Sequence, residues 1–194
     1  MERGAVLGAS LVLASLVAAC GSQPPDGGET QPRAASGPTI NPPKDAATVP
    51  PCDLLPPEDA SSLGLDPGSG SVSGSDENSC GWYSPDETDR LALTAIPNRT
   101  LASYLDNRAQ FADFAELTIA GHPAVRANRN DPKQLGTCSI FLATKDDQVL
   151  SSLVRVSDKS KDACGLAQRA LEAAVPRLPA AERPRQLHRG SGLP

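Results

Sequence analysis

Large aromatic side chains are scarce: the 194 residues include one Trp, two Tyr and three Phe. All six lie between Trp82 and Phe141, so the packed core is expected in the middle of the chain. Histidine is scarcer still, with only His122 and His188, and the two are far apart. No cysteine pair has C-x-x-C spacing. Together these absences exclude a sequence-level zinc set or thioredoxin-like redox motif, and no metal or cofactor is expected. There is no Gly-x-Ser-x-Gly elbow to present a nucleophile and no Gly-Lys-Ser/Thr phosphate loop. Basic runs interleaved with aromatics are missing too, and the formal charge is −5, so no nucleic-acid surface is expected. The apolar run from Ala5 to Ala19 falls short of the ~20 residues that span a hydrocarbon core.

What that run does have is its ending. Leu16-Val17-Ala18-Ala19-Cys20 places small residues directly before a cysteine. Small side chains beside the cut suit a signal peptidase, and the thiol then suits a diacylglycerol. Cleavage between Ala19 and Cys20, with Cys20 lipidated and palmitoylated, is the expectation. Residues 1–19 are then a lipoprotein signal peptide, and the location is the extracytoplasmic face of the cell membrane. An ordinary secretory signal is the closer alternative, because Val17-Ala18-Ala19 is itself a cleavable small-residue site. Removing residues 1–19 discards Glu2 and Arg3 together, which leaves the net charge unchanged.

Cysteine parity agrees. Five cysteines in an exported chain leave one to explain. Acylation of Cys20 accounts for it, and Cys52, Cys80, Cys138 and Cys164 remain for two disulfides.

Residues 20–51 begin with the lipidated cysteine and continue as Pro, Gly, Ser, Thr and Gln with almost no large apolar side chain. Such a segment cannot bury enough surface to offset its conformational entropy, so a disordered tether is expected. It would reach ~30 Å as a flexible coil and ~90 Å fully extended. One domain over residues 52–179 and a disordered tail over 180–194 complete the organisation. Arg183, Arg185 and Arg189 lie in that tail.

Within the domain, Pro57 followed by Glu58 and Asp59 starts a short helix that ends near Gly64. The loop from Pro67 to Gly74 has no dinucleotide fingerprint, and Asp76-Glu77-Asn78 lacks calcium-loop spacing. Cys80–Tyr83 and Leu91–Ile96 read as strands around a Ser84-Pro85-Asp86 turn. Apolar residues at Leu101, Tyr104, Leu105, Phe111, Ala112 and Ala115 predict a helix with one buried face, which is core and not a cofactor slot. Gly121-His122-Pro123 is a turn entering a strand, with His122 at its edge. Cys138–Thr144 and Val149–Val156 form a hairpin around Lys145–Gln148. Asp162 caps a last helix with Cys164, Ala167, Leu171, Val175 and Leu178 on its apolar face.

Cys52-Asp53-Leu54-Leu55, Cys80-x-Trp82, Gly121-His122-Pro123-Ala124-Val125, Cys138 before an apolar strand and Asp162-x-Cys164 together resemble the actinobacterial lipoproteins grouped as domain of unknown function 3558. The resemblance runs from Cys52 to Pro179. It implies an envelope lipoprotein of an actinobacterium, with an α+β fold in which antiparallel sheet packs with helices as a PsbP-like sandwich. It supplies no catalytic residue, and fold alone would not license a function. Four cysteines allow three pairings. The sequential one, Cys52–Cys80 and Cys138–Cys164, is expected because it ties the first helix to the Trp82 strand and the last helix to the hairpin. A non-catalytic binding or accessory module for an envelope protein, polymer or lipid is the functional expectation. The alternatives are a carrier of a hydrophobic small molecule or lipid, which needs a large apolar cavity, and a wall hydrolase, which needs a triad.

Overall fold

The computed structural model describes residues 38–72 and 78–182. Ala19, Cys20, His188, Asp76, Glu77 and the tail arginines lie outside the described residues. A single seven-stranded antiparallel sheet carries the domain: β1 (Ser71–Val72), β2 (Ser79–Tyr83), β3 (Arg90–Pro97), β4 (Asp113–Ile119), β5 (His122–Asn128), β6 (Thr137–Lys145) and β7 (Gln148–Arg155). Their order is β1-β2-β3-β7-β6-β5-β4. The α-helices among the described residues are α1 (Pro57–Ser62), α2 (Ala102–Leu105), α3 (Pro132–Leu135) and α4 (Ala163–Ala174). The fold is thus α+β, as the sequence implied.

Alternation of side chains divides the sheet into two unlike faces. The inner face holds Trp82, Leu91, Leu93, Ile140, Leu142, Leu150 and Val154, all buried in one cluster with Leu54 and Leu55. Helix α4 lies on it and turns Ala163, Ala167, Ala170 and Ala174 inward with Leu166 and Leu171. The alanines let the helix approach the strands closely, while the leucines supply apolar area. Asp162 accepts from the Gly165 N–H at 2.9 Å and so satisfies one open donor of the first turn, as predicted. Helix α3 is capped likewise by Asp131 and stops at Gly136, whose φ of 66° belongs to the left-handed region. A side chain there would meet the Val156 carbonyl.

Both disulfides pair as expected: Cys52 with Cys80 and Cys138 with Cys164, over separations of 28 and 26 residues. Each joins a flanking helical segment to a strand, Cys52 lying in a 3-10 turn at Pro51–Leu54.

Two expectations are corrected. The helix foreseen from Leu101 to Ala115 is a single turn, α2, followed by a 3-10 turn at Arg108–Gln110 and then strand β4. Short isolated helices have little stability of their own. Here the β4–β5 hairpin prevails, closed by Ala120-Gly121 with positive φ at both positions, which suits the twist of a two-residue turn. The apolar residues still serve as core: Leu101, Tyr104, Leu105 and Phe111 pack with Phe114, Val125, Ala127 and Phe141 on the outer face.

The second correction concerns the domain's limits. Residues 38–51 are expected in the tether and residues 180–194 in the tail, yet Lys44 bridges to Ala180. The Lys44 N–H donates to the Thr144 carbonyl at 2.7 Å, and the Asp45 N–H to that of Pro179 at 2.9 Å. Ala46 is fully buried, its N–H donating to Gln148 Oε1 at 2.7 Å. Asp45 accepts from Lys145 Nζ at 2.8 Å and from Gln148 Nε2 at 3.0 Å. Burial alone would raise the Asp45 carboxyl, but these bonds and the Lys145 charge outweigh it and hold the group below its ordinary value. A segment poor in apolar residues is thus fixed by polar partners about a hundred positions away.

Candidate binding surface

His122, the one histidine among the described residues, opens β5 and is 3 % exposed. Its Nδ1 lies 3.1 Å from the Ala143 carbonyl oxygen, so the neutral ring donates Nδ1–H there. Burial pushes its pKa below the ordinary histidine value, the Ala143 bond opposes that shift, and the Lys44 charge adds to it. His122 therefore serves the junction of β5, β6 and the N-terminal segment. Among the described residues, no group of three or more His, Cys, Asp and Glu could hold a metal ion, and no helix is long and apolar enough to cross a membrane.

A pH effect follows. The unfolded chain takes up a proton on His122 near pH 6.5, and the folded state resists it, so folded stability falls as pH drops below about 7. The loss ends once the folded ring is protonated as well. In urea titrations at steps from pH 7.5 to 5, wild type is expected to lose midpoint faster than His122→Gln; parallel curves would contradict it.

Among the described residues, the outer face is covered over only half its width. Helix α2 and the following turn close β4, β5 and part of β6, where the Tyr104 and Phe141 rings stack at 4.2 Å between centroids. Burial raises the Tyr104 phenol above its ordinary pKa, opposed by the Arg99 charge. Beyond Phe141 the surface of β6, β7, β3 and β2 lies open as a trough of about 480 Å³.

Strand register arranges that trough in rows. Arg90 stands opposite Arg155, and Arg155 in turn opposite Thr137. The next row is Gly81, Ala92, Leu153 and Ser139, and the third is Ser79, Thr94, Ser151 and Phe141. Leu153 is 49 % exposed in the middle of this surface. Arg90 lies over the Tyr83 ring at 5.5 Å, and Thr94 Oγ1 donates to Ser79 Oγ at 2.9 Å. None of the described residues that line it is acidic. The inner, outer alternation is readable within each strand, for example in Leu150-Ser151-Ser152-Leu153-Val154-Arg155. The strand order that sets β3 beside β7, and so Arg90 beside Arg155, is not.

The family model for "Protein of unknown function (DUF3558)" matches residues 15–177. The chain belongs to this family. No curated protein matches it. A crystal structure from Bacteroides thetaiotaomicron VPI-5482 is similar at 12 % identity with a TM-score of 0.40, covering 61 % of this chain and 44 % of its own. The chain thus spans less than half the length of that protein. In this DUF3558 chain, both disulfides brace the inner face, leaving the trough on the opposite side.

Proposed function

We propose that the chain is a lipid-anchored, extracytoplasmic binding module of the cell envelope, without catalytic activity, whose partner occupies the open half of the sheet. One observation carries the choice of surface: half of the outer face is closed by an aromatic cluster, while the adjoining half presents Leu153 and two arginines in a trough of about 480 Å³. An open, polar-lined trough suits a bound partner better than an enclosed hydrophobic cargo. His122, which an enzyme reading would have enlisted as a base, is committed to a backbone carbonyl. An antiparallel sheet with a helix on one face is compatible with a PsbP-like sandwich, and that kinship belongs to the same proposal.

The anchor rests on Leu16–Cys20. Lipidation contributes ~0.8 kcal/mol per buried CH₂, so two or more acyl chains give stable attachment. Residues between Cys20 and the domain would then hold the trough at a raised effective concentration near the membrane. Cys20→Ser is expected to leave the membrane fraction or accumulate as unprocessed precursor; a processed variant that still pellets with membrane would rule out the anchor.

The surface is tested by complementing a deletion strain. Leu153→Asp should fail to restore the wild-type phenotype while remaining folded, and His122→Gln should restore it. Failure by a folded His122→Gln protein, with Leu153→Asp active, would move the function to the histidine.

A further inference from the structure

Strand β4 closes one side of the sheet and β1 closes the other. The two edges are unequal. β1 is only Ser71–Val72, whereas β4 runs from Asp113 to Ile119 with no bulge and no proline. Folded proteins ordinarily avoid long, regular edges, because unpaired backbone groups recruit another strand.

The turn between β4 and β5 decides which groups are unpaired. Ala120-Gly121 is a two-residue turn, so Ile119 and His122 form a bonded pair, and bonding alternates from there. Asp113, Ala115, Leu117 and Ile119 therefore bond to β5, while the N–H and C=O of Phe114, Glu116 and Thr118 point away from it. Pro123 agrees with this assignment: it has no N–H, and it stands opposite Thr118 in an unbonded pair. Among the described residues, no turn, loop or helix backbone takes up the outward groups. They span about 13 Å along the strand.

We propose that β4 is a docking edge for an extended, basic polypeptide segment, which adds to the sheet as a further strand. The two faces of the edge supply the specificity. On the inner side Leu117 and Ile119 belong to the main core, so a strand added beside them meets an apolar margin. On the outer side a concavity of about 280 Å³ lies beside Glu116 and Thr118, with Pro38, Leu101, Leu105 and Pro123 among its walls. Among the described residues Glu116 is the one charged group on its lining. An apolar hollow with a single carboxylate suits the long stem and cationic head of a Lys or Arg. Arg108 reaches Glu116 only at 3.9 Å, with the two side chains 65 % and 64 % exposed, and such a pair is too weak to pre-empt the carboxylate.

A second copy of this chain is the poorer occupant. Pairing β4 with itself about Glu116 sets two carboxylates directly opposite each other, where like charges repel. A free cation would meet Glu116 and leave the backbone row unused. The edge lies across the aromatic cluster from the trough, so its role is independent of the binding surface proposed above.

The test is nuclear magnetic resonance titration of the isotope-labelled full-length protein with the blocked peptide acetyl-Thr-Val-Lys-Val-Thr-amide. Centred on Glu116, the peptide sets its Lys over the concavity and its Val residues on the inner side. Saturable shifts are expected at the amides of Phe114, Glu116 and Thr118. Exchanging the peptide's Lys for Glu should weaken binding about tenfold, the worth of one charge-assisted contact. Glu116→Lys, at an exposed position, should reverse that preference. Methyl groups on the backbone nitrogens of the Lys and both Thr should abolish binding, whereas methyl groups on the two Val nitrogens, which face away from β4, should leave it. No saturable shift at those amides, equal binding of the two methylated peptides, or an unchanged charge preference in Glu116→Lys would overturn the inference. So would self-association that broadens the same amides as protein concentration rises, which gives the edge to a second copy. None of these outcomes involves residue 153, so the trough stands or falls on its own test.

Discussion

With Cys52, Cys80, Cys138 and Cys164 all replaced by alanine, the domain is expected to be largely unfolded at 37 °C. The loops closed are 28 and 26 residues apart in sequence, and on the chain-entropy account each closure is worth about 3.5 kcal/mol. Their sum of about 7 kcal/mol compares with the 5–15 kcal/mol that holds a typical domain together. The Cα atoms stand 5.1 and 5.0 Å apart, within the usual range, so backbone misfit takes little from that gain. Each bridge also fixes a layer: one ties the Pro51–Leu54 turn to β2, and the other ties α4 to β6. Urea titration of the single-bridge variants should show losses of about 3 kcal/mol each. An unchanged midpoint in the four-alanine protein would contradict the assignment of stability to the bridges.

Trp82→Ala is the single substitution expected to cost most, about 3–5 kcal/mol. Trp82 is 2 % exposed and heads the largest fully buried side chains. It lies on the inner face beside the Cys52–Cys80 bridge, within the cluster that includes Leu54 and Leu55. The other aromatics sit on the opposite face, Tyr104, Phe111, Phe114 and Phe141 in the outer cluster and Tyr83 beside Arg90, and cannot refill the space. The chain just before β1 passes close to the indole: a Cβ at Gly70 would fall 2.8 Å from Trp82 Nε1. Trp82→Phe, which leaves a smaller cavity, should lose distinctly less than Trp82→Ala. Thermal unfolding followed by circular dichroism gives the ranking, and equal midpoints for the two variants would contradict it.

How far the chain could be read in advance depended on how local each signal was. Asp162 and Pro57 mark their helices by chemistry within one turn, and both helices form where expected. The hairpin of β6 and β7 follows from alternating apolar runs around a polar turn. The stretch from Leu101 to Ala115 misled because helical spacing and strand alternation overlap in it: Tyr104, Phe111 and Phe114 all reach the outer cluster from a turn, a loop and a strand. Residues 38–51 misled for the opposite reason, since Asp45 and Ala46 are held by Lys145 and Gln148 from a distant hairpin. The trough was beyond sequence reading altogether. Arg90 on β3 joins Ser139 and Leu153 of the β6–β7 hairpin only through the β3–β7 contact, a long-range pairing without a local signature.

If the proposed binding surface is right, a partner covers the open half of the sheet in the cell. It is tested most directly by placing a photo-crosslinking residue at position 153 in the full-length protein and, as a control, at position 135, where Leu135 is 50 % exposed outside the trough. Irradiation of cells should give discrete adducts from position 153, diminished by Arg155→Gln, and none from position 135. Adducts of equal yield from both positions, or none from position 153, would contradict it.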